Sequence, residues 1–386
     1  MSITDIDTQY VANTYARFPI ELVEGKGCRA KDAQGHEYID LGSGIGVNAF
    51  GYADEVWQQA VVAQLGTLQH TSNLYYTEPC ARLAELLCQR TGMKKVFFGN
   101  SGAEANECAI KVARKWAADT KGAEYNVIVT LENSFHGRTL TTLAATGQDH
   151  YHELFQPLTP GFAHVPANDA AALRACLETN KVAGVLVEMI QGEGGVLPLE
   201  AEYVQAVEAL CREFDCLFMV DEVQTGNGRT GQLYAYMNFG VQPDVFSTAK
   251  GLGGGLPIGA CVMGERAEGV LSFGDHGSTF GGNPVACAGA LSILSRIDDQ
   301  LLAEVREKGA YLRSRFEGAS GVESVSGLGL MVGVKTVKPA GEVVAACRER
   351  GLLLLTAKDK VRLLPPLTIS MDELAEAADI ILDVTK

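Results

Sequence analysis

Apolar residues in the middle of the chain fall into two alternating patterns. Short continuous runs occur at Val96–Phe98, Val127–Leu131, Val182–Met189, Leu217–Val220, Val245–Thr248 and Ile258–Met263. Such runs predict strands, the longest of them buried on both faces. Between the runs, apolar positions recur three or four residues apart. Ala109, Val112, Ala113 and Trp116 mark one face of a helix over Glu104–Thr120, and Val204, Val207, Cys211 and Phe214 mark another. Strand–helix alternation predicts a mostly parallel sheet covered by helices, one large α/β domain from about residue 50 to 275.

The two ends read differently. Cys28–Asp32 and Glu37–Asp40 flank an Asp-Ala-Gln-Gly turn, which predicts a hairpin. Leu301–Phe316 is a charged amphipathic helix, and Met331–Thr336, Gly341–Arg350 and Asp372–Val384 suggest a smaller α+β unit. The ends are expected to pack together. This divides the chain into an N-terminal segment, 1–48, a large domain, 49–280, and a small C-terminal domain, 281–386.

Composition narrows the class. Of 386 residues, 47% are hydrophobic and 20% charged, enough apolar material for a folded core. No charge-free run approaches the length of a membrane span. The acidic, polar start lacks the pattern of a secretory signal. The net charge of −15 opposes binding to nucleic acid. Ten cysteines are scattered with no Cys-x-x-Cys pair, so no metal site is expected and a reducing cytoplasm fits best.

Candidate chemistry sits where strands end. Asp221 follows the run Leu217–Val220, and ligands gather beyond the carboxyl ends of strands in open α/β sheets. A carboxylate there can pair with a protonated ring nitrogen, bind a metal, or cap a turn. Lys250 follows Val245–Thr248 and precedes Gly251, Gly253, Gly254 and Gly255. Desolvation at such a place favours the neutral, nucleophilic amine. Together the two residues present an acid and an amine to one crevice.

Four further segments carry polar groups. Ser101 and Glu104 have capping-box spacing at a helix start, and Gly102 lets an anion approach free N–H groups there. Phe135 can stack on a planar ring, and Arg138 can hold a carboxylate in its fork. Ser278 and Thr279 are hydroxyls beside glycines, in a loop that reads equally as a plain turn before a helix. Arg362 lies in the apolar run Val361–Pro366, and a buried arginine needs an anionic partner.

The ordered segments TYARFPIELVEGKG, HTSNLYYTEP, FFGNSGAEANE, FHGR, EMIQGEGGV, DEVQTGNGRTG, AKGLGGGLPIGA, GSTFGGNPVACAGA and VRLLPPL resemble class III aminotransferases of fold type I. The resemblance covers nearly the whole chain. It implies a large domain with a seven-stranded, mostly parallel sheet, and pyridoxal 5'-phosphate as cofactor. Lys250 would bond that cofactor and Asp221 would face its pyridine nitrogen. Val223 would lie against the ring, Gln224 near the phenolic oxygen, and Phe135 would stack. Ser101, Gly102 and Ala103 resemble the phosphate-binding turn. Thr279 resembles a phosphate ligand reaching across a homodimer interface. The branch resembled takes acylated ω-amines, which implies N2-acetylornithine and 2-oxoglutarate as substrates. Arg138 and Ser278 would then meet the acylated donor, Tyr15 would be substrate-binding, and Arg362 would meet a substrate α-carboxylate, with Glu193 as its switchable partner. Ornithine, succinylornithine and 4-aminobutyrate remain alternative donors. A dinucleotide-binding oxidoreductase is a different class, but GLGGGLPIG follows a lysine and leads into a strand, the wrong context for its fingerprint. One departure is visible: Tyr52-Ala53-Asp54 stands where the family carries a histidine and a proline.

Overall fold

The computed structural model describes residues 2–386. Its centre is a seven-stranded sheet of β1 (Lys95–Gly99), β2 (Val127–Leu131), β3 (Phe162–Val165), β4 (Val182–Val187), β5 (Leu217–Asp221), β6 (Val245–Thr248) and β7 (Gly259–Met263). The spatial order is β1-β7-β6-β5-β4-β2-β3. Neighbours are parallel except β7, which runs antiparallel to both β1 and β6.

Every residue of β4, β5, β6 and β7 is buried, which is why these strands read as unbroken apolar runs. Side chains alternate between two cores. In β5, Leu217 and Met219 face the helix Gly102–Thr120, while Phe218 and Val220 face the opposite layer, which holds Leu173, Val204 and Val207. The edge strand β3 is only half-buried and contains His164. It lacks a run long enough to stand out, and the apolar pattern did not reveal it.

The two chain ends join through one strand pair. Arg29–Asp32 and Glu37–Asp40 form the expected hairpin, and Ile39 and Asp40 pair in parallel with Leu352 and Leu353. With Leu22–Lys26 these strands make a four-stranded sheet, and a second one is built from Val322–Leu328, Met331–Thr336, Lys360–Leu363 and Leu355–Ala357. The helix Pro284–Leu294 packs on the helices Glu55–Leu65 and Glu78–Thr91. No helix among the described residues is long and apolar enough to cross a membrane.

The unusual Tyr52-Ala53-Asp54 is built into this frame. Asp54 caps the helix Glu55–Leu65, accepting from Trp57 N at 2.8 Å, and is clamped by Arg296 at 2.7 and 3.0 Å. Tyr52 donates its hydroxyl to the buried Asp40 at 2.7 Å. The other Asp40 oxygen accepts from Gly42 N and Ser43 N. These bonds hold a turn in which Ser43, Gly44, Ile45 and Gly46 all have positive φ. Non-glycine residues pay strain there, so the turn needs outside anchors. Tyr52→Phe is expected to lower the unfolding free energy by about 1.5–3 kcal/mol, the worth of a hydrogen bond to a charged group. Denaturant titration measures it, and an unchanged midpoint would show that Asp40 finds another donor.

Candidate active site

Beyond the carboxyl ends of β5 and β6 lies a cavity of about 490 Å³. Register explains its chemistry. Asp221 pairs with Ser247 across the parallel strands, so Lys250, three residues further, emerges just beyond the end of the neighbouring strand. Both residues line the cavity.

Asp221 continues the face of Leu217 and Met219, toward the helix Gly102–Thr120. Asn106 on that helix donates to Asp221 Oδ2 at 2.8 Å. His136 Nδ1 meets the same oxygen at 2.8 Å, and Val223 N donates to Oδ1 at 3.0 Å. Asn106 also donates to His136 O, tying helix, loop and strand together. The far nitrogen of His136, Nε2, is buried without a partner.

Lys250 begins a short turn with φ 43°, a strained conformation for a non-glycine residue. Its Nζ meets no protein acceptor among the described residues. Burial pushes its ammonium below the ordinary lysine range, against the opposing attraction of Asp221 and Glu193.

The wall opposite is the N-terminus of Gly102–Thr120. Ser101 Oγ accepts from Glu104 N at 3.2 Å. The Glu104 carboxylate, however, accepts from Asn100 N and not from Ser101 N, so the reciprocal half of the capping box is displaced by one residue. Gly102 N and Ala103 N have no acceptor among the described residues, at a helix end that carries partial positive charge. A Cβ on Gly102 would lie 2.6 Å from Val223, so only glycine allows this close approach.

Phe135 is fixed by its backbone N, which donates to Glu188 Oε2 at 3.0 Å. Glu188 also accepts from Gly192 N at 3.3 Å. Arg138 lies exposed on the rim, its guanidinium 4.7 Å from the centre of the Tyr151 ring and 5.6 Å from that of Phe135. Arg362, by contrast, is 3% exposed and sits 2.6 Å from Glu193. Gln224 bridges this pair to the cavity, accepting from Arg362 at 3.3 Å and donating to Glu193 at 3.4 Å. Burial opposes ionisation of Glu193, but Arg362 wins and holds its carboxyl below the ordinary range.

The structure therefore gathers Ser101, Gly102, Ala103, Phe135, Arg138, Asp221, Val223, Gln224 and Lys250 around one cavity. Glu193 and Arg362 adjoin it through Gln224. Ser278 is tied to it indirectly, its Oγ accepting from Asn100 Nδ2 at 3.1 Å. Thr279 and Tyr15 are exposed and do not line it. Sequence reasoning gave no role to Asn106, His136, Glu188 or Tyr151. His136 and Glu188 lie inside the segments FHGR and EMIQGEGGV, so the signal was proximity to named residues. Asn106 had only its place one helical turn after Gly102.

A cleft at strand ends, with a half-buried lysine, a hydrogen-bonded aspartate and a free helix N-terminus, defines a fold type I transferase site. The aminotransferase class-III family model matches residues 10–385, and the chain belongs to that family. It is 50% identical to an acetylornithine aminotransferase of Haemophilus ducreyi, over 99% of this chain and 98% of that protein. Among solved structures, N-acetylornithine aminotransferase from Stenotrophomonas maltophilia matches with a TM-score of 0.86 and 35% identity, covering 99% of this chain and 98% of the other. Ornithine aminotransferase from Toxoplasma gondii, with partial occupancy of pyridoxal phosphate at its active site, matches at 0.94 and 33% identity, covering 99% and 93%.

Two buried carboxyls give the site a pH signature. Burial raises both Glu188 and Glu222 from 4.5 to about 7. Between those values the folded state binds more protons than the unfolded state. Their contribution to stability is thus complete below about pH 4.5 and lost as pH rises through about 7. In cofactor-free protein, Glu188→Gln is expected to flatten the fall of unfolding free energy across that window. An unaltered slope in denaturant melts would assign the dependence elsewhere.

Proposed function

We propose that this chain transfers an amino group from N2-acetylornithine to 2-oxoglutarate, giving N-acetylglutamate 5-semialdehyde and glutamate, with pyridoxal 5'-phosphate held in the cleft. One observation carries the reading: Lys250 and Asp221 share a cavity whose wall is a helix N-terminus with unused N–H groups. Eight curated relatives named acetylornithine aminotransferase, 43–50% identical over nearly the whole chain, support this donor.

The residues present fit the cofactor. Gly102 and Ala103 offer free N–H groups to a phosphate, beside the Ser101 hydroxyl. Phe135 and Val223 are apolar surfaces for the two faces of a planar ring. The orphaned Lys250 amine is the group to bond it, Asp221 is the acceptor for its ring nitrogen, and Gln224 is the donor for its phenolic oxygen. When bound, the cofactor supplies an electron sink, and the protein supplies orientation and electrostatics.

The rest is done by side chains of this chain. Lys250 Nζ, with its lowered affinity for protons, takes a proton from the substrate carbon and delivers it again as general base and acid. Arg138, unpaired on the rim among the described residues, holds the carboxylate of the acylated donor, and Ser278, tied to the cavity through Asn100, assists. Arg362 is silenced by Glu193 while that donor reacts. When 2-oxoglutarate enters, its carboxylate displaces Glu193 and takes the guanidinium.

The working unit is a homodimer with shared sites. Leu74, Tyr75, Tyr76 and Phe280 are exposed, and Tyr76 wholly so. The helix Ile3–Tyr10 buries none of its residues. Apolar surface of this extent calls for a partner, and a two-fold mate is the simplest. Thr279 then completes the phosphate site of the neighbouring subunit, and Tyr15 reaches the substrate side. All ten cysteines are free, which suits a cytoplasmic setting.

Borohydride reduction of the yellow protein is expected to fix the cofactor to Lys250, and a label on another lysine would overturn the assignment. Steady-state comparison of N2-acetylornithine, N2-succinylornithine, ornithine and 4-aminobutyrate should rank the first highest. A higher kcat/KM for ornithine would move the chain to another branch of its family.

The division between the arginines is tested by single-turnover absorbance of each half-reaction. Arg362→Ala should slow the glutamate half by about 10–100-fold, and Arg138→Ala should do the same to the N2-acetylornithine half. Equal damage to both halves by both variants would refute the division.

A further inference from the structure

The Arg138 guanidinium has neither an ion pair nor a hydrogen bond to the protein among the described residues. An arginine on a cavity rim has considerable rotamer entropy to lose when it binds an anion. Yet two aromatic faces contact it: Tyr151 at 4.7 Å and Phe135 at 5.6 Å from ring centre to guanidinium carbon. The rings meet edge-on, with centroids 5.8 Å apart and an angle of 65°. The His150 ring also packs against Tyr151, centroids 3.9 Å apart and tilted by 39°.

The rings are held much more firmly than the arginine. Phe135 is anchored through its backbone to the buried Glu188. Tyr151 closes the single turn Asp149–Tyr151, pinned at both ends. Before the turn, Gln148 Nε2 donates to Ser134 O at 3.0 Å. After it, His152 Nε2 lies 2.9 Å from Leu143 O and 2.8 Å from Thr146 O. Asn133 N donates to Gly147 O at 2.7 Å, closing the loop that carries Phe135 onto the loop that carries Tyr151. The Tyr151 hydroxyl makes no hydrogen bond among the described residues, so the ring face is what this residue offers.

We propose that Tyr151 is a specificity-determining positioning residue, whose ring face together with Phe135 holds the Arg138 guanidinium over the cavity mouth for the carboxylate of the acylated amino donor. A cation over an aromatic face keeps its N–H edge free, so the stack orients the fork without using its donors. An acidic partner would orient Arg138 too, but would compete with the substrate carboxylate. This is the contrast with Arg362, which is held by Glu193 and must be released. Tyr151 acts through Arg138 and does not touch the reacting atoms. The inference rests on the reading of Arg138 as the donor-carboxylate group.

The test uses holoenzyme and single-turnover absorbance of the two half-reactions, with four variants: Tyr151→Phe, Tyr151→Leu, Tyr151→Ala and Arg138→Ala. Tyr151→Leu and Tyr151→Ala should raise the half-saturating N2-acetylornithine concentration by about threefold to tenfold, the range for a partly exposed cation–π contact. The limiting rate of that half, and the whole glutamate half, should stay within about twofold. Tyr151→Phe, which keeps the ring and loses only the hydroxyl, should behave as wild type. Tyr151→Leu keeps apolar bulk, so its loss separates the ring face from mere packing. If Arg138→Ala impairs the acylated donor selectively while Tyr151→Leu and Tyr151→Ala do not, the positioning role is wrong and the Arg138 reading stands. If Arg138→Ala spares the acylated donor, the underlying reading fails first. A Tyr151→Phe defect equal to that of Tyr151→Ala would assign the effect to the hydroxyl and overturn the proposal.

Discussion

The site depends on keeping one carboxylate buried at the end of a central strand. Taking a charge out of water costs several kcal/mol unless donors replace the lost hydration. Asp221 is 4% exposed, and its donors come from three places: Asn106 on a helix, His136 in a loop and Val223 in the turn just after the strand. Those donors dictate much around them. The helix Gly102–Thr120 must lie where Asn106 can reach, which brings its N-terminus to the cavity. The loop after β2 must return with His136, which brings Phe135 and Arg138 with it. The neighbouring residue shows what the alternative looks like. Glu222 is just as buried, accepting from Tyr236 N and Thr225 Oγ1, and burial drives it up to about 7.

The sheet was legible because its central strands are buried on both faces, so hydrophobicity alone marks them. Val127–Leu131 and Val245–Thr248 were bounded to the residue. The edge strand Phe162–Val165 escaped because it is short, only half-buried and interrupted by His164. The helices Glu55–Leu65 and Glu78–Thr91 escaped for a related reason. The first buries none of its residues, so it shows no apolar stripe; the second does turn Leu83 and Leu87 inward, but its stripe is short and lies among charged residues. At the site, Asp221 and Lys250 stood out because a charged residue directly after an apolar run is conspicuous. Asn106 and His136 did not, because their importance is a matter of which long-range neighbour they reach. His136 is 85 positions from Asp221 in sequence, and no local pattern encodes that pairing. The displaced cap is a subtler case. Spacing put Glu104 in register with Ser101, but the carboxylate reached one residue further, to Asn100.

Three arginines show how surroundings divide one chemistry into different tasks. Arg229 is fully buried and meets only carbonyls, Leu330 O at 3.1 Å and Pro365 O at 2.5 Å. Burial without a carboxylate drives its guanidinium down to about 9. It is a brace between the turn after β5 and the C-terminal segments, since Leu330 N in turn donates to Arg229 O. Arg362 is equally buried but has Glu193, so its charge is neutralised and available only to a competitor that can displace a carboxylate. Arg138 has no anionic partner among the described residues and lies exposed, where water makes a charge cheap to keep. On the proposed assignment of the two arginines, the graded burial also orders selectivity. A ligand carboxylate reaching Arg138 competes only with solvent, whereas one reaching Arg362 must break an ion pair with a 2.6 Å contact inside the protein. A site built this way can accept a donor without disturbing its inner charges, and reserve the costlier exchange for a ligand that repays it with a carboxylate in the same position.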